Sequence, residues 1–193
     1  MKRNKFLIIL FAMLIIASLI LSACAQAPEE AAPEEAAPEE AEEVAGGSVG
    51  IVLPTKDEPR WIQDETRFRD AFTEAGYDVE ILFSQGDSAK EKANVETLIS
   101  KGIQVLVITP QDGTAAAAAA EAARDAGVKV ISYDRLIRET DAVDYYVTFD
   151  SIAVGEAQGQ YLVDKASGSG NPLYLYAGAA TDNNAFLFFE GAW

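Results

Sequence analysis

The 193-residue chain has no histidine and a single cysteine, Cys24. Without histidine there is no Ser-His-Asp triad, no Cys-His pair and none of the commonest metal ligand. Neither a metal nor a cofactor is expected. One cysteine cannot close an intramolecular disulfide. Basic residues are scarce, 15 Lys and Arg against 31 Asp and Glu, for a net charge of −16. No basic stripe remains to neutralise phosphates, so nucleic acid is not an expected partner. No GxGxxG or P-loop glycine pattern follows any strand-like run.

What is present begins with an address. Lys2, Arg3 and Lys5 precede an apolar run from Phe6 to Leu21, which leads into Leu21-Ser22-Ala23-Cys24. A positive start, an apolar middle and small residues before a cut describe a secretory signal over residues 1–23. Leu-Ser-Ala-Cys resembles the bacterial lipobox, which makes Cys24 the lipid-bearing anchor of an extracytoplasmic chain, in a periplasm or on the outer face of the cell membrane. The competing reading is a plain N-terminal membrane helix, since Phe6–Ala23 is about long enough to span. Residues 24–47 then repeat Ala-Pro-Glu-Glu-Ala at Ala27, Ala32 and Ala37 and close on Gly46-Gly47. Regular proline, paired glutamates and no large apolar side chain describe a solvated acidic tether.

From Ser48 the pattern alternates. Ser48–Leu53, Val79–Phe83, Val105–Ile108, Val128–Ser132 and Tyr145–Phe149 read as five strands. Helical spacing falls between them, at Phe68, Ala71, Phe72 and Ala75, at Val95, Leu98 and Ile99, and through the alanine block Ala115–Ala123. Gly76, Gly102 and Gly127 each follow a helix and precede a valine-led strand. Glycine fits the left-handed residue that closes a helix. Three such joints at near-equal spacing predict stacked βα units, hence an α/β fold with a doubly wound parallel sheet.

A parallel open sheet binds its ligand beyond the carboxyl ends of its strands. Lys56, Arg60 and Trp61 follow the first strand, Asp112 the third, Asp134 and Arg135 the fourth, and Asp182 and Asn184 a further apolar run at Leu173–Tyr176. Carboxylates accept, guanidinium forks donate, and asparagine does both; tryptophan offers a rigid apolar face. That set suits the hydroxyls and C–H face of a sugar. The plain alternatives are a loop ion pair at Asp134-Arg135 and a core anchor at Trp61, with Lys56 and Asp112 as solvated loop charges.

At these residues the chain resembles type I periplasmic sugar-binding proteins, in the xylose and multiple-monosaccharide branch. The resemblance runs from Gly50 to Trp193 and rests on Pro54-Thr55-Lys56 with Arg60-Trp61, Val130–Ile137, Asp144-Tyr145-Tyr146 with Thr148-Phe149-Asp150, and Asp182-Asn183-Asn184-Ala185. It implies that Arg60, Asp134, Arg135, Asp182 and Asn184 bind a monosaccharide, with Trp61 stacked on or flanking the ring. It further implies delivery to an ABC permease, with presentation to a chemoreceptor or sensor kinase as a second role, and a monomer is expected.

By the same resemblance, residues 48–149 form a first lobe and 150–193 the start of a second. Val154–Ala166 is then a helix, Gly168-Ser169-Gly170 a loop and Leu173–Tyr176 a strand. Phe186, Phe189 and Trp193 set up an apolar helix face at the chain's last residue, from which an incomplete N-terminal portion with weak or absent sugar binding is expected. A carbohydrate-acting enzyme on the same fold, using Asp134 and Asp182 as an acid/base pair, is the rival of a different class. A sugar-responsive repressor core has the same fold, but no helix-turn-helix precedes Gly50.

Overall fold

Strand β1 (Ser48–Leu53) is apolar along almost its whole length because both of its faces are covered. The computed structural model describes residues 46–166, 170 and 172–193. The signal segment, Cys24, the tether up to residue 45 and Gly168-Ser169 lie outside the described residues. After β1 come α1 (Pro59–Glu74), β2 (Asp78–Phe83), α2 (Ser88–Ser100), β3 (Val105–Ile108), α3 (Ala117–Asp125), β4 (Lys129–Tyr133), β5 (Tyr145–Val147), α4 (Ser151–Lys165) and α5 (Asn183–Ala192). The strands form one parallel sheet in the order β2-β1-β3-β4-β5. This is the doubly wound sheet that the alternating pattern predicts.

Side chains alternate between two cores. Val49, Ile51 and Leu53 of β1 pack with Trp61, Phe68 and Phe72 of α1, together with Phe83 and Val107. Val52 points the other way, to a second cluster with Leu106 and Ile108 of β3, Val95 and Leu98 of α2, and the buried alanines of α3. The two-residue period of the strands sorts these sets onto opposite faces. Alanine lets α3 approach the sheet closely, which is why a block with little side-chain bulk still buries Ala119, Ala120 and Ala123.

The element ends follow local chemistry. Gly76, Gly102 and Gly127 have φ of +82°, +80° and +79°, as the repeated joint requires. Asp87 and Asp150 accept backbone N–H groups at the starts of α2 and α4. β4 runs one residue later than its apolar pattern suggests. β5 is shorter than Tyr145–Phe149 because its partner ends at Tyr133, where the chain turns away. Leu173–Tyr176 is not a strand. It has a strand's composition, but among the described residues no strand pairs with it, and all four side chains are exposed.

α4 and α5 meet through glycine. A Cβ on Gly155 would lie 2.2 Å from the Phe188 carbonyl oxygen, and one on Gly191 would lie 2.1 Å from that of Ile152. Backbone therefore packs on backbone. Gly155→Ala should push α5 away and cost about 1–3 kcal/mol, the usual penalty for overpacking. Denaturant unfolding together with hydrogen exchange in α5 measures it, with faster exchange in α5 expected.

Candidate functional site

The turn after β4 is the centre of the site. Asp134 has φ of +65°, and the Arg135 N–H donates to the Tyr133 carbonyl at 2.7 Å. A hydrogen bond two residues back across a positive φ makes a γ-turn, a rare and strained form. Three donors converge on the Asp134 carbonyl oxygen: Tyr146 Oη at 3.1 Å, Thr148 Oγ1 at 2.8 Å and Asn184 Nδ2 at 3.1 Å. The Asp134 N–H donates to the Val147 carbonyl at 2.8 Å. β5, the segment after it and α5 are all tied to one residue.

The Asp134 carboxylate, only 4% exposed, accepts from Arg60 Nη2 on one oxygen and from Asn184 Nδ2 at 3.2 Å on the other. Arg60 reaches it from the first turn of α1, where Pro59 starts the helix. One turn on, Asp64 Oδ2 lies 3.6 Å from Arg60 Nε and accepts from Tyr133 Oη at 3.2 Å. Burial works against the Arg60 cation, but the hydrogen bond and charge of Asp134, aided by Asp64, outweigh it and raise its pKa. Burial, with the nearby Asp64 charge, raises the Tyr133 phenol as well.

Arg135 points along the other side. Its Nε lies 3.1 Å from Asp182 Oδ2, yet that N–H makes no aligned hydrogen bond, while Nη1 donates to the Pro110 carbonyl at 3.4 Å. Asp182 also caps α5, its Oδ1 accepting the Asn184 N–H at 2.9 Å. Asn184 Oδ1 receives Ser151 Oγ at 3.4 Å.

Trp61 departs from the expectation of a ring face open to a ligand. Its place in the first turn of α1 turns it into the core against Val49, Ile51 and Leu53, and it is 1% exposed. The guanidinium carbons of Arg60 and Arg135 sit 4.4 and 5.6 Å from its ring centre. The indole is thus a floor under two cations. Lys56 pairs with Glu65 at 3.2 Å and lies over Phe83, and Asp112 caps the turn into α3 through the Thr114 and Ala115 N–H groups. Neither joins the cluster.

Several participants went unnoticed in the sequence. Asp64 was legible as the i+4 partner of Arg60 on a helix. Glu91 shares a face with Val95 and Leu98, at i, i+4 and i+7, so its burial was legible too; Oε2 accepts the Gln111 N–H at 2.8 Å and Ser84 Oγ at 3.4 Å. Burial pushes Glu91 up to about 7. Tyr146 and Thr148 lie in the motifs that carry the resemblance, but nothing local gives them a role, because their partner is the Asp134 carbonyl at the end of the neighbouring strand.

An apolar hollow of about 490 Å³ lies elsewhere, between α4, α5 and the 173–179 segment. Its walls are largely aliphatic and aromatic, with Asp182 at the rim, so convergent donors and acceptors are found at the Asp134 cluster instead. Among the described residues no group of acidic side chains is placed to hold a metal ion, and no helix is long and apolar enough to cross a membrane.

A five-stranded sheet in this order with polar groups gathered at its carboxyl ends has relatives. The family model described as periplasmic binding protein domain matches residues 49–193. The chain belongs to the periplasmic binding protein family. It is 42% identical over 149 residues to the multiple sugar-binding periplasmic protein SbpA of Azospirillum brasilense, covering 75% of this chain and 42% of that one. It is 34% identical over 143 residues to the D-xylose-binding periplasmic protein of Escherichia coli, covering 74% and 42%. A crystal structure of a carbohydrate transporter solute-binding protein from Chloroflexus aurantiacus, in complex with D-glucose, superimposes with a TM-score of 0.71 at 86% identity, covering 75% of this chain and 43% of that one. The chain therefore spans less than half the length of these periplasmic binding proteins.

Two outcomes are expected. Asp134→Ala keeps the strained turn and loses the carboxylate, costing about 2 kcal/mol, whereas Asp134→Gly relieves the turn and costs about 1 kcal/mol less; urea unfolding compares them. For Glu91 the folded carboxyl still holds its proton between pH 4.5 and 7, where the unfolded chain has released it. Its contribution to stability therefore falls as pH rises through that window, by up to about 3 kcal/mol. Glu91→Gln should remove that slope, read as the difference between variant and parent unfolding free energies at pH 5 and pH 8.

Proposed function

We propose that this chain supplies the N-terminal part of an extracytoplasmic solute-binding lipoprotein, anchored through Cys24, that binds a monosaccharide for an ABC importer. The ligand is a xylose-like pentose or a related hexose. The observation that carries the reading is the convergence of Arg60, Asp134, Arg135, Asp182 and Asn184 beyond the strand ends. A buried acid held between Arg60 and Asn184, beside a second pair of Arg135 and Asp182, presents both donors and acceptors, as adjacent sugar hydroxyls require. Relatives named for glucose, xylose or several sugars support the same class.

The roles divide by geometry. Arg60 and Arg135, floored by Trp61, donate to hydroxyls. Asp134 and Asp182 accept from them, and each also fixes one arginine. Asn184 holds the Asp134 turn and offers its amide at the edge of the site. Trp61 acts through the arginines it supports. Sugar exchange replaces hydrogen bonds within this cluster by hydrogen bonds to the ligand, so no charge need be left bare. Residues 48–149 form the first lobe and 150–193 the beginning of the second, with the ligand held where they meet. A sensing role shares this pocket and differs in the surface shown to a chemoreceptor or kinase.

Isothermal calorimetry of the chain with D-glucose, D-xylose and L-arabinose tests the reading. Because the chain spans less than half of its relatives, only weak binding is expected, read as heat with one or two of these sugars at high sugar concentration. Arg135→Ala should weaken the best of them by at least about tenfold, the worth of a charge-assisted hydrogen bond. Equal binding by parent and Arg135→Ala would remove the cluster from the site.

A further inference from the structure

Glu91 is a carboxyl group that the sugar-binding reading does not use, and it is almost completely enclosed at 1% exposure. It projects from the first turn of α2 toward the same end of the sheet as the site. Its Oε2 receives two donors from two different strand-end turns, Ser84 Oγ after β2 and the Gln111 N–H after β3. The turn that Gln111 belongs to also contains Pro110, whose carbonyl receives Arg135 Nη1. Two charges act on the Glu91 carboxyl through space: the Arg135 guanidinium from the turn after β4 favours a negative charge there, and the Asp112 carboxylate from the turn after β3 opposes it.

We propose that Glu91 is a positioning residue for Arg135: its carboxylate anchors the Thr109–Asp112 turn through the Gln111 N–H and so sets the Pro110 carbonyl to which the guanidinium donates. A protonated Glu91 accepts the same N–H more weakly and presents no charge to Arg135. The turn and the arginine then relax together. Burial holds this carboxyl near neutrality, where a modest change of pH switches it. The consequence for ligand binding rests on the monosaccharide reading above; the coupling between Glu91 and Arg135 does not.

The test separates the two. In the nitrogen-15-labelled chain without sugar, the Gln111 amide and the Arg135 Nε–H resonances are followed from pH 5.5 to 8.5. The chain has no histidine to add a titration of its own in this range. Both signals should move with one common midpoint, both should stop moving in Glu91→Gln, and Ser84→Ala should shift the midpoint upward by removing a donor to the carboxylate. A Gln111 signal that titrates while Arg135 stays still, or two signals indifferent to pH, would overturn the proposal. With D-glucose as the calorimetric probe, affinity should fall roughly tenfold from pH 8 to pH 6 in the parent, about one charge-assisted hydrogen bond. In Glu91→Gln it should be weak and flat with pH. A pH-independent affinity in the parent also counts against Glu91. Absence of any glucose heat at both pH values counts against the sugar reading alone, and the resonances still decide the role of Glu91.

Discussion

The polar cluster beyond the strand ends hangs on the backbone of Asp134. A carbonyl oxygen has two lone pairs, and this one serves three donors from three places in the chain. The arrangement is possible because the γ-turn lies just past the end of β4, where this carbonyl is reached from β5, from the segment after it and from α5. Strain in the turn, about 1–3 kcal/mol, is offset by the number of groups it satisfies at once. The same turn sets the carboxylate between Arg60 and Asn184. Backbone geometry at one residue therefore dictates where α1, β5 and α5 may sit relative to each other.

The topology explains why these groups can meet. β1 is flanked by β2 on one side and β3 on the other, so the chain leaves β1 in one direction and β3 in the opposite one. A crevice opens between the two turns. Arg60 comes from one, the Pro110 turn from the other, and β4 delivers Asp134 and Arg135 beside them. Trp61 fills the floor of this region and keeps water away from beneath two guanidinium groups. Buried acids then matter more than their number suggests, because each carboxylate is close to a cation or to backbone N–H groups and little solvent lies between them.

Much of this was written in the sequence. Three Gly-x-x-Val joints and the β-branched run Val105–Ile108 announced a parallel sheet, and strand-end polar residues marked its functional edge. Trp61 was open to two readings, since an aromatic in the first turn of a helix serves either face. Only the packing of Val49, Ile51 and Leu53 decides between them. Leu173–Tyr176 has the composition of a strand, but a strand is made by its neighbour, and composition does not report neighbours. The γ-turn was invisible, since nothing in Tyr-Asp-Arg demands a positive φ. Glu91 was legible by its spacing and was passed over because charged residues are ordinarily assigned to the solvent side.

The parallel sheet also determines how this molecule must come into being. No two adjacent strands are joined by a tight turn; even Ser48 and Asp78, paired in the register of β1 and β2, are separated by an entire helix. Loop-closure entropy has to be met before any ladder bond repays it. β1 stands between β2 and β3, so it cannot be completed until chain from both sides has arrived. The order of synthesis thus gives no early hairpin to build on. β1 waits for its neighbours, and the contacts of the Asp134 turn, which draw on Tyr146, Thr148 and Asn184, need chain that is made later still.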